Sequence, residues 1–236
     1  MIDVHSHLIP AVDDGSRSIE ETMQMIKEAK EAGFTDIILT SHYLSNYYET
    51  EANVLRLWTE QLQKVINQEQ ININLYPGNE VYICENIDEL IKNDTICRMA
   101  NSKYLLMELP MSTEIRYLKS VIFTLESMNV VPIIAHPERY SFIQKDPEKA
   151  LELKEQGCLL QCNFASIIGL YGKDAQKTIK ILLKNDYVDF LGSDCHKPYT
   201  IYKEMDSIIK KLKKVIPEEK LYELTEKNPR KILENK

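Results

Sequence analysis

The chain opens with MIDVHSH (residues 1–7), in which His5 and His7 end a short hydrophobic run at a spacing of two. The run predicts a β-strand, and residues two apart in a strand project from the same face. The two imidazoles would then point to one place, where they either share a metal ion or repel each other when protonated. An exposed edge strand with two solvated histidines would carry the same seven residues, and the rest of the chain distinguishes the two interpretations.

The rest of the chain alternates between apolar runs and amphipathic segments. Seven runs predict strands, at residues 2–7, 36–43, 73–83, 104–110, 130–139, 158–167 and 188–196. Helices are predicted at residues 18–33, 49–68, 115–128, 147–157, 174–185, 201–215 and 218–233. In the first helix Ser18 is the expected N-cap, Glu21 completes a capping box and Gly33 is the stop. Repeated strand–helix units predict an α/β fold with a parallel sheet, and the absence of a linker predicts one domain over residues 1–236.

Polar side chains favour a closed barrel over an open sheet. No glycine-rich loop follows the first strand, which argues against a dinucleotide-binding sheet. All five histidines lie at carboxyl ends of predicted strands, and three acidic residues do the same, while Asp14 lies in the turn after the first strand. In a parallel barrel that face collects every strand–helix loop around one site. The predicted metal ligands are therefore His5, His7, Asp14, His42, Glu80, Glu108, His136, Asp194 and His196.

The number of ligands predicts a centre with more than one ion. Nine donors, one of them bridging, suit two or three ions at roughly four to six ligands each. Three divalent ions would carry six positive charges against four carboxylates, and the resulting charge of about +2 would attract an anion such as phosphate. Such ions lower the pKa of bound water toward about 7 and supply hydroxide for attack on phosphorus. Arg139, three residues after His136, could clamp the phosphate oxygens.

Composition excludes several other classes. A net charge of -7 argues against a nucleic-acid surface, and no run of about 18 apolar residues predicts a membrane helix. The N-terminus lacks the features of a signal peptide, and the five cysteines include no CxxC pair, so we expect free thiols in the cytoplasm. Cys158 and Cys162 are expected in the core, and Cys195 has no dedicated base that would make it a nucleophile.

With these residues assembled, the sequence closely resembles the PHP (polymerase and histidinol phosphatase) superfamily. Within it, the chain is similar to the manganese-dependent tyrosine phosphatases of bacterial capsule and exopolysaccharide loci. The ordered motifs that carry the resemblance run nearly end to end: MIDVHSHLIPAVDDGS, TSHY, PGNEVY, YLLMELP, PIIAHPERY, GSDCH and NPRKIL.

The resemblance implies a distorted seven-stranded (β/α) TIM-like barrel with a trinuclear centre, Mn²⁺ being the expected metal and iron, zinc or magnesium the alternatives. One ion would be held by His5, His7, Glu80 and Asp194, a second by Glu80, Glu108 and His136, and a third by Asp14, His42 and His196. Arg139 matches the family's phosphate-binding arginine. The implied substrate is the tyrosine-rich tail of a cytoplasmic tyrosine kinase that controls polysaccharide export.

One departure from the family concerns the phosphate clamp. Many relatives carry a second arginine shortly after the last metal histidine, whereas this chain has HKPYTIYKEM, with Lys197 and Lys203. A lysine is a point charge that cannot reproduce the bidentate fork of an arginine. We expect Lys197 to be the substitute, because it follows His196 directly, with Arg17 and Arg116 as other candidates.

Alternative functions remain open at the level of sequence. A small-molecule phosphatase such as histidinol phosphatase would use the same ligands, and a metal-stabilised module that binds the kinase tail would retain them without catalysis. An exonuclease is disfavoured by the acidic charge, and an amidohydrolase by chain length and the missing modified lysine. Tyr43, Tyr47 and Tyr48, beside His42, could flank a phosphotyrosine ring or simply anchor the loop.

Overall fold

The computed structural model describes residues 1–234, in which seven strands form one parallel sheet. Each strand pairs with its neighbours in chain order, from β1 to β7. The strands are β1 (Ile2–Asp3), β2 (Asp36–Tyr43), β3 (Asn74–Tyr82), β4 (Tyr104–Glu108), β5 (Val131–Ala135), β6 (Leu159–Asn163) and β7 (Phe190–Gly192). This order is that of a barrel, and the predicted fold class is confirmed.

The barrel closes just beyond the ends of its first and last strands. The backbone N–H of His7 donates to the carbonyl of Cys195 over 3.0 Å, and the N–H of Asp194 donates to the carbonyl of His5 over 2.8 Å. A single parallel bridge joins Ser6 and Cys195. The backbone segments after β1 and β7, which contain predicted ligands, are thus hydrogen-bonded to each other at the barrel mouth.

Ten α-helices occur in the described part of the chain, most of them around the outside of the sheet. They are α1 (Ile19–Glu31), α2 (Ala52–Gln68), α3 (Ile87–Lys92), α4 (Leu118–Ser127), α5 (Ser141–Lys145), α6 (Glu148–Glu155), α7 (Lys173–Lys184), α8 (Met205–Leu212), α9 (Glu218–Tyr222) and α10 (Asn228–Glu234). Short 3-10 helices lie at Met99–Asn101, Pro137–Arg139, Phe164–Ile168 and Ile201–Glu204, and one π turn at Glu223–Lys227. None of the helices within residues 1–234 combines the length and the apolar character needed to cross a bilayer.

The largest corrections to the predicted boundaries concern six segments. The strands predicted at 130–139 and 158–167 end at Ala135 and Asn163, and a 3-10 helix follows each of them. Strands predicted at 2–7 and 188–196 are ladders of only two and three residues, because the chain leaves the sheet where it turns into the barrel mouth. Helices predicted at 201–215 and 218–233 are broken into shorter pieces, and α3 and α5 are too short to give a periodic signal. The predicted domain over residues 1–236 extends two residues beyond the described chain and stays a prediction.

The start of α1 agrees with prediction in part. The Ser18 hydroxyl accepts a hydrogen bond from the N–H of Glu21 over 3.3 Å, as an N-cap should. The Glu21 carboxylate accepts from the N–H of Arg17 over 2.9 Å, so the predicted capping box does not close on Ser18. Gly33 follows the helix with a φ of 89°, which a glycine adopts without strain.

Two hydrophobic cores hold the barrel, one outside and one inside the sheet. Along β2, Ile37 and Leu39 pack outward against the helices, whereas Ile38 packs inside the barrel. The inner core also contains Ile232 and Leu233 of α10. Side chains alternate along a strand, so every second residue of a long strand faces the barrel interior. These residues belong to the apolar inner core at one end of the strand and to the polar mouth at the other.

Candidate metal centre

Six of the seven strands bring the predicted ligands to one end of the barrel. Three of these residues lie within β2, β3 and β4, and one directly follows β5. The others lie in the loops after β1 and β7. Strand β6 carries none. The nine side chains form one continuous cluster, which comprises His5, His7, Asp14, His42, Glu80, Glu108, His136, Asp194 and His196.

The Glu80 carboxylate lies at the middle of this cluster. Its Oε2 is 3.2 Å from Nε2 of His5, 3.3 Å from Nε2 of His7 and 3.2 Å from Nδ1 of His42. Its Oε1 is 2.9 Å from Nε2 of His136. The Nε2 atoms of His5 and His7 are only 3.1 Å apart, so the convergence expected from the HxH spacing is present. A carboxylate with imidazoles around both oxygens is placed to bridge cations.

The remaining predicted ligands lie around this middle. Asp194 Oδ1 is 3.5 Å from the nearest nitrogens of His5, His7 and His196. Asp14 Oδ1, on a half-exposed side chain, is 3.4 Å from Nε2 of His196. Glu108 Oε1 is 3.7 Å from Nε2 of His136, and Oε2 is 3.9 Å from Nδ1 of His42. Three sets of donors lie within metal-binding reach of one another: His5, His7 and Glu80; His42, Glu80 and Glu108; and His7, Asp14, His42 and His196.

Two of these residues adopt a backbone conformation that costs free energy. His136 has a φ of 36° and Asp194 a φ of 53°, in the left-handed region that side chains with a Cβ rarely occupy. Pro137 follows His136, and the proline ring disfavours right-handed helical backbone angles at the residue before it, which here is His136. Strain of this sort costs about 1–3 kcal/mol per residue and is concentrated at functional sites.

The carboxylates of the cluster favour a positive charge, either a proton or a metal ion, at the imidazole nitrogens. Burial alone lowers the pKa of His5, but the carboxylates of Glu80 and Asp194 raise it to about 9. Burial raises the pKa of Asp194, yet the imidazoles around it hold that pKa well below its ordinary value. Burial and the charge of Glu80 raise the pKa of Glu108 to about 8. Protons or metal ions would both satisfy this arrangement of charge.

The donor set fits divalent metal ions. Oε2 of Glu80 is buried and has no hydrogen-bond partner among the described residues, although three imidazole nitrogens lie within 3.3 Å. A buried carboxylate oxygen in that position costs free energy unless a cation satisfies it. Imidazole and carboxylate together suit zinc, iron and manganese.

Comparison with known proteins gives the family of the chain. The family model described as "Capsular polysaccharide synthesis, CpsB/CapC" matches residues 1–234. This chain belongs to that family. The prediction of a capsule-locus phosphatase family from sequence motifs is therefore confirmed.

The relatives of this CpsB/CapC chain are tyrosine phosphatases. Tyrosine-protein phosphatase YwqE of Bacillus subtilis is 30% identical over 96% of this chain and 89% of its own length. Tyrosine-protein phosphatase CpsB of Streptococcus pneumoniae is 28% identical over 99% of this chain and 98% of its own length. A crystal structure from work on YwqE and CpsB, described as unique metal-dependent tyrosine phosphatases, superposes with a TM-score of 0.94 at 29% identity, over 100% of this chain and 95% of that one.

A more distant structure shows the fold alone. Histidinol phosphate phosphatase from Lactococcus lactis, solved with zinc, L-histidinol and phosphate, has a TM-score of 0.60 at 14% identity, over 91% of this chain and 94% of that one. The barrel is thus shared with a small-molecule phosphatase.

Arg139, the predicted phosphate clamp, lies beside the cluster in this CpsB/CapC chain. Its Nη1 donates to Oδ2 of Asp194 over 2.9 Å, and its guanidinium carbon lies 4.6 Å from the ring centroid of Tyr171. The side chain is 27% exposed, so it faces the barrel mouth with part of its fork accessible. Tyr171 was not predicted, because no strand-end position or motif marks it.

None of the other predicted cations forms an ion pair with a predicted ligand among the described residues. The Lys197 side chain is exposed and forms no ion pair with the described carboxylates, so its role stays a prediction. Lys203 pairs instead with Glu31 of α1, over 2.6 Å. Arg17 is exposed. Arg116 lines a cavity beside α4 and α6.

The three tyrosines after β2 differ in their positions. Tyr48 stacks on His42 with a centroid separation of 5.9 Å, and Tyr47 is 80% exposed. Tyr43 is buried in the outer core and does not line the mouth. Of the three predicted flanking rings, Tyr48 is the one in contact with the cluster.

Asp13 is a functional residue that sequence reasoning missed. Its buried carboxylate accepts from Nδ1 of His7 over 3.0 Å, from the N–H of His42 over 2.9 Å and from the N–H of Gly15 over 2.9 Å. Burial raises the pKa of Asp13, but the bond from His7 lowers it to about 2. The signal was the doubled acid in VDDGS, of which only Asp14 was selected. A hydrogen bond at Nδ1 leaves Nε2 of His7 free as a ligand.

Gly15→Ala is expected to weaken metal binding by tenfold or more, because it displaces His7. A Cβ at Gly15 would lie 2.3 Å from the carbonyl oxygen and 2.5 Å from the Cβ of His7, neither of which can move independently of the backbone. Disturbing the support of a ligand typically costs 10–100-fold in affinity. Gly157→Ala is the control: its φ of 92° makes an alanine there strained, but the added Cβ would meet nothing within 4 Å, so the variant should lose stability without losing metal affinity. Titration of both variants with metal and a competing chelator checks this, and equal affinities would contradict it.

Proposed function

We propose that this chain is a metal-dependent phosphatase that hydrolyses phosphotyrosine in a protein substrate. The proposal is carried by a near-complete structural match, with a TM-score of 0.94, to a metal-dependent tyrosine phosphatase, together with a cluster of nine donors at the barrel mouth. A hydrolase that uses metals needs such a cluster, and the relatives' tyrosine-phosphatase activity supplies the substrate class.

The proposed cofactors are two to three divalent ions, with Mn²⁺ as the first candidate. Glu80 would bridge two of them, since both of its oxygens face imidazoles. His5, His7 and Asp194 would complete one set, Glu108 and His136 a second, and Asp14, His42 and His196 a third. Bound ions would polarise the phosphoryl oxygens and lower the pKa of water so that hydroxide is available for attack at neutral pH.

The chain's own residues would bind and orient the phosphoryl group. Arg139 keeps one N–H on Asp194 while the accessible part of its fork can donate to phosphoryl oxygens. The Tyr171 ring packs against one face of the guanidinium and restricts its movement, so the cation is held in place before the substrate arrives. The leaving group, a tyrosine phenolate with a pKa of about 10, departs with less need for a proton than a serine alkoxide would.

The proposed substrate is a phosphotyrosine segment of a bacterial tyrosine kinase that regulates capsule or exopolysaccharide synthesis in the cytoplasm. The family description names capsular polysaccharide synthesis. Tyr48, stacked on His42, offers an aromatic wall beside the cluster, and the exposed Tyr47 ring lies one residue before it. A flexible tail could place its phosphorylated ring against this wall while the phosphate reaches the ions.

The deciding experiment is an assay of metal-reconstituted protein on four substrates under identical conditions. These are a phosphotyrosine peptide, the matching phosphoserine peptide, histidinol phosphate and single-stranded DNA. We expect the phosphotyrosine peptide to be hydrolysed with the highest kcat/KM. Preferential turnover of histidinol phosphate would replace the proposal with a small-molecule phosphatase. Binding of the phosphopeptide without turnover of any substrate would indicate a binding module.

Cys195→Ser is expected to retain most of the phosphatase activity. Cys195 is fully buried, and burial raises the pKa of its thiol to about 12, so it does not supply a thiolate at neutral pH. Its Sγ contacts the carbonyl of Lys197 and the hydroxyl of Thr200, which a serine can also contact. Steady-state kinetics at equal metal content measures the effect. Loss of turnover by several orders of magnitude, with metals still bound, would show that a cysteine nucleophile has been overlooked.

A further inference from the structure

Strand β6 contributes no predicted ligand, yet two of its polar side chains reach the cluster. Gln161 and Asn163 are fully buried, and they share the inner face of the strand with Leu159, whereas Leu160 and Cys162 pack in the outer core. Polar side chains inside a barrel are costly unless each hydrogen bond is made. These two make theirs with each other and with two predicted ligands.

The hydrogen bonds of this pair have only one consistent direction. Oδ2 of Asp194 is a carboxylate acceptor 2.6 Å from Asn163, so the amide NH₂ of Asn163 faces it and Oδ1 faces the other way. Oδ1 of Asn163 lies 3.0 Å from Gln161 and accepts from its NH₂. The carbonyl oxygen of Gln161 is thereby directed at Nδ1 of His5, 2.7 Å away, which must carry the proton.

We propose that Gln161 is a positioning residue that holds His5 in the tautomer protonated at Nδ1, so that Nε2 is free to bind metal, and that Asn163 sets the direction of the Gln161 amide. The inference rests on the metal centre of the proposed function. The chain of bonds also couples two ligands of one predicted ion, His5 and Asp194, through a strand that binds none itself. A hydrogen bond of this kind raises ligand basicity and fixes the orientation of the ring.

Packing supports the same role. Gly192 of β7 faces the pair, and a Cβ there would lie 2.7 Å from the Cβ of His5 and 2.9 Å from Nε2 of Gln161. The Gln161 amide and the Cβ of His5 therefore occupy space that a side chain at residue 192 would fill. A larger residue at position 192 would displace one or both of them.

The test compares three substitutions. Gln161→Leu keeps the approximate volume and removes the acceptor for His5. Gln161→Glu keeps that acceptor but replaces the NH₂ that donates to Oδ1 of Asn163 by a second acceptor. Gln176→Leu on α7 is the matched control, since the side chain of this partly buried glutamine donates to the backbone carbonyl of Ile167 and not to a predicted ligand. Zn²⁺ affinity is measured by competition with a chelator. We expect Gln161→Leu to bind the tightest Zn²⁺ about 10–100-fold more weakly, Gln161→Glu to recover only part of that loss, and Gln176→Leu to match the wild type.

Nuclear magnetic resonance of the Zn²⁺-loaded proteins gives a readout that packing alone does not change. The wild type and Gln176→Leu should show a slowly exchanging Nδ1–H signal from His5, and Gln161→Leu should lose it. Unchanged Zn²⁺ affinity in Gln161→Leu overturns the inference alone, whereas a wild type that binds no Zn²⁺ overturns the metal centre as well. If Gln161→Leu does not fold, the wild-type spectrum decides, and a proton on Nε2 of His5 contradicts the proposal.

Discussion

Removal of divalent ions by a chelator is expected to abolish turnover of the phosphotyrosine substrate, and Mn²⁺ is expected to restore it best. Seven of the nine donors form three overlapping sets within metal-binding reach, and the buried Oε2 of Glu80 has no hydrogen-bond partner in the described chain. Without ions there is no source of hydroxide at neutral pH and little positive charge to offset the four carboxylates. Elemental analysis of protein purified without chelator should find more than one transition ion per chain.

The measurement is activity before chelation, after it, and after addition of each metal in turn. Magnesium, zinc and iron are the comparison ions, because the donor set alone does not distinguish them from manganese. Full activity with one ion or none per chain would rule out the multinuclear centre. Circular dichroism of the chelated protein serves as the control, since loss of fold would also remove activity.

Arg139→Ala is expected to lower kcat/KM by about a hundredfold, equivalent to about 3 kcal/mol of transition-state stabilisation. Charge spreads over three phosphoryl oxygens in the transition state, and the accessible part of the Arg139 fork is the nearest guanidinium found beside the cluster. Arg139→Lys should recover only part of the loss, because an ammonium lacks the planar fork. Oδ2 of Asp194 keeps its hydrogen bond from Asn163 in Arg139→Ala, so metal content should stay close to that of the wild type, and the kinetics are compared at equal metal content.

Arg230→Ala is the matched control for this substitution. Arg230 lies on α10 and pairs with Glu226, at the end of the barrel opposite the mouth. Its removal should leave kcat/KM unchanged. If Arg139→Ala keeps wild-type kinetics at equal metal content, the clamp has been assigned to the wrong residue, and Arg17 and Arg116 are the next to substitute.

The sequence by itself determined the parallel barrel and the group of residues at its mouth. Parallel strands place all their carboxyl ends on one face, so histidines and acids that follow apolar runs had to meet wherever the sheet closed. His42, Glu80 and Glu108 lie on three adjacent strands, in contact or nearly so, as that rule requires. The ends of the strands were less well predicted, because β1 and β7 leave the ladder where they enter the site.

Tertiary structure decided how each ligand is supported and what each cation contacts. Gln161 and His5 are 156 residues apart in sequence, and their hydrogen bond exists only because barrel closure leaves β7 alone between β6 and the end of β1, with a glycine at residue 192. The same holds for Arg139, which meets Asp194 and Tyr171 through contacts that no local pattern specifies. The position of a residue at the carboxyl end of a strand follows from local sequence, and this position places its side chain at one end of the barrel. The direction of a hydrogen bond depends on partners from distant strands, and it is therefore settled only when the barrel is closed.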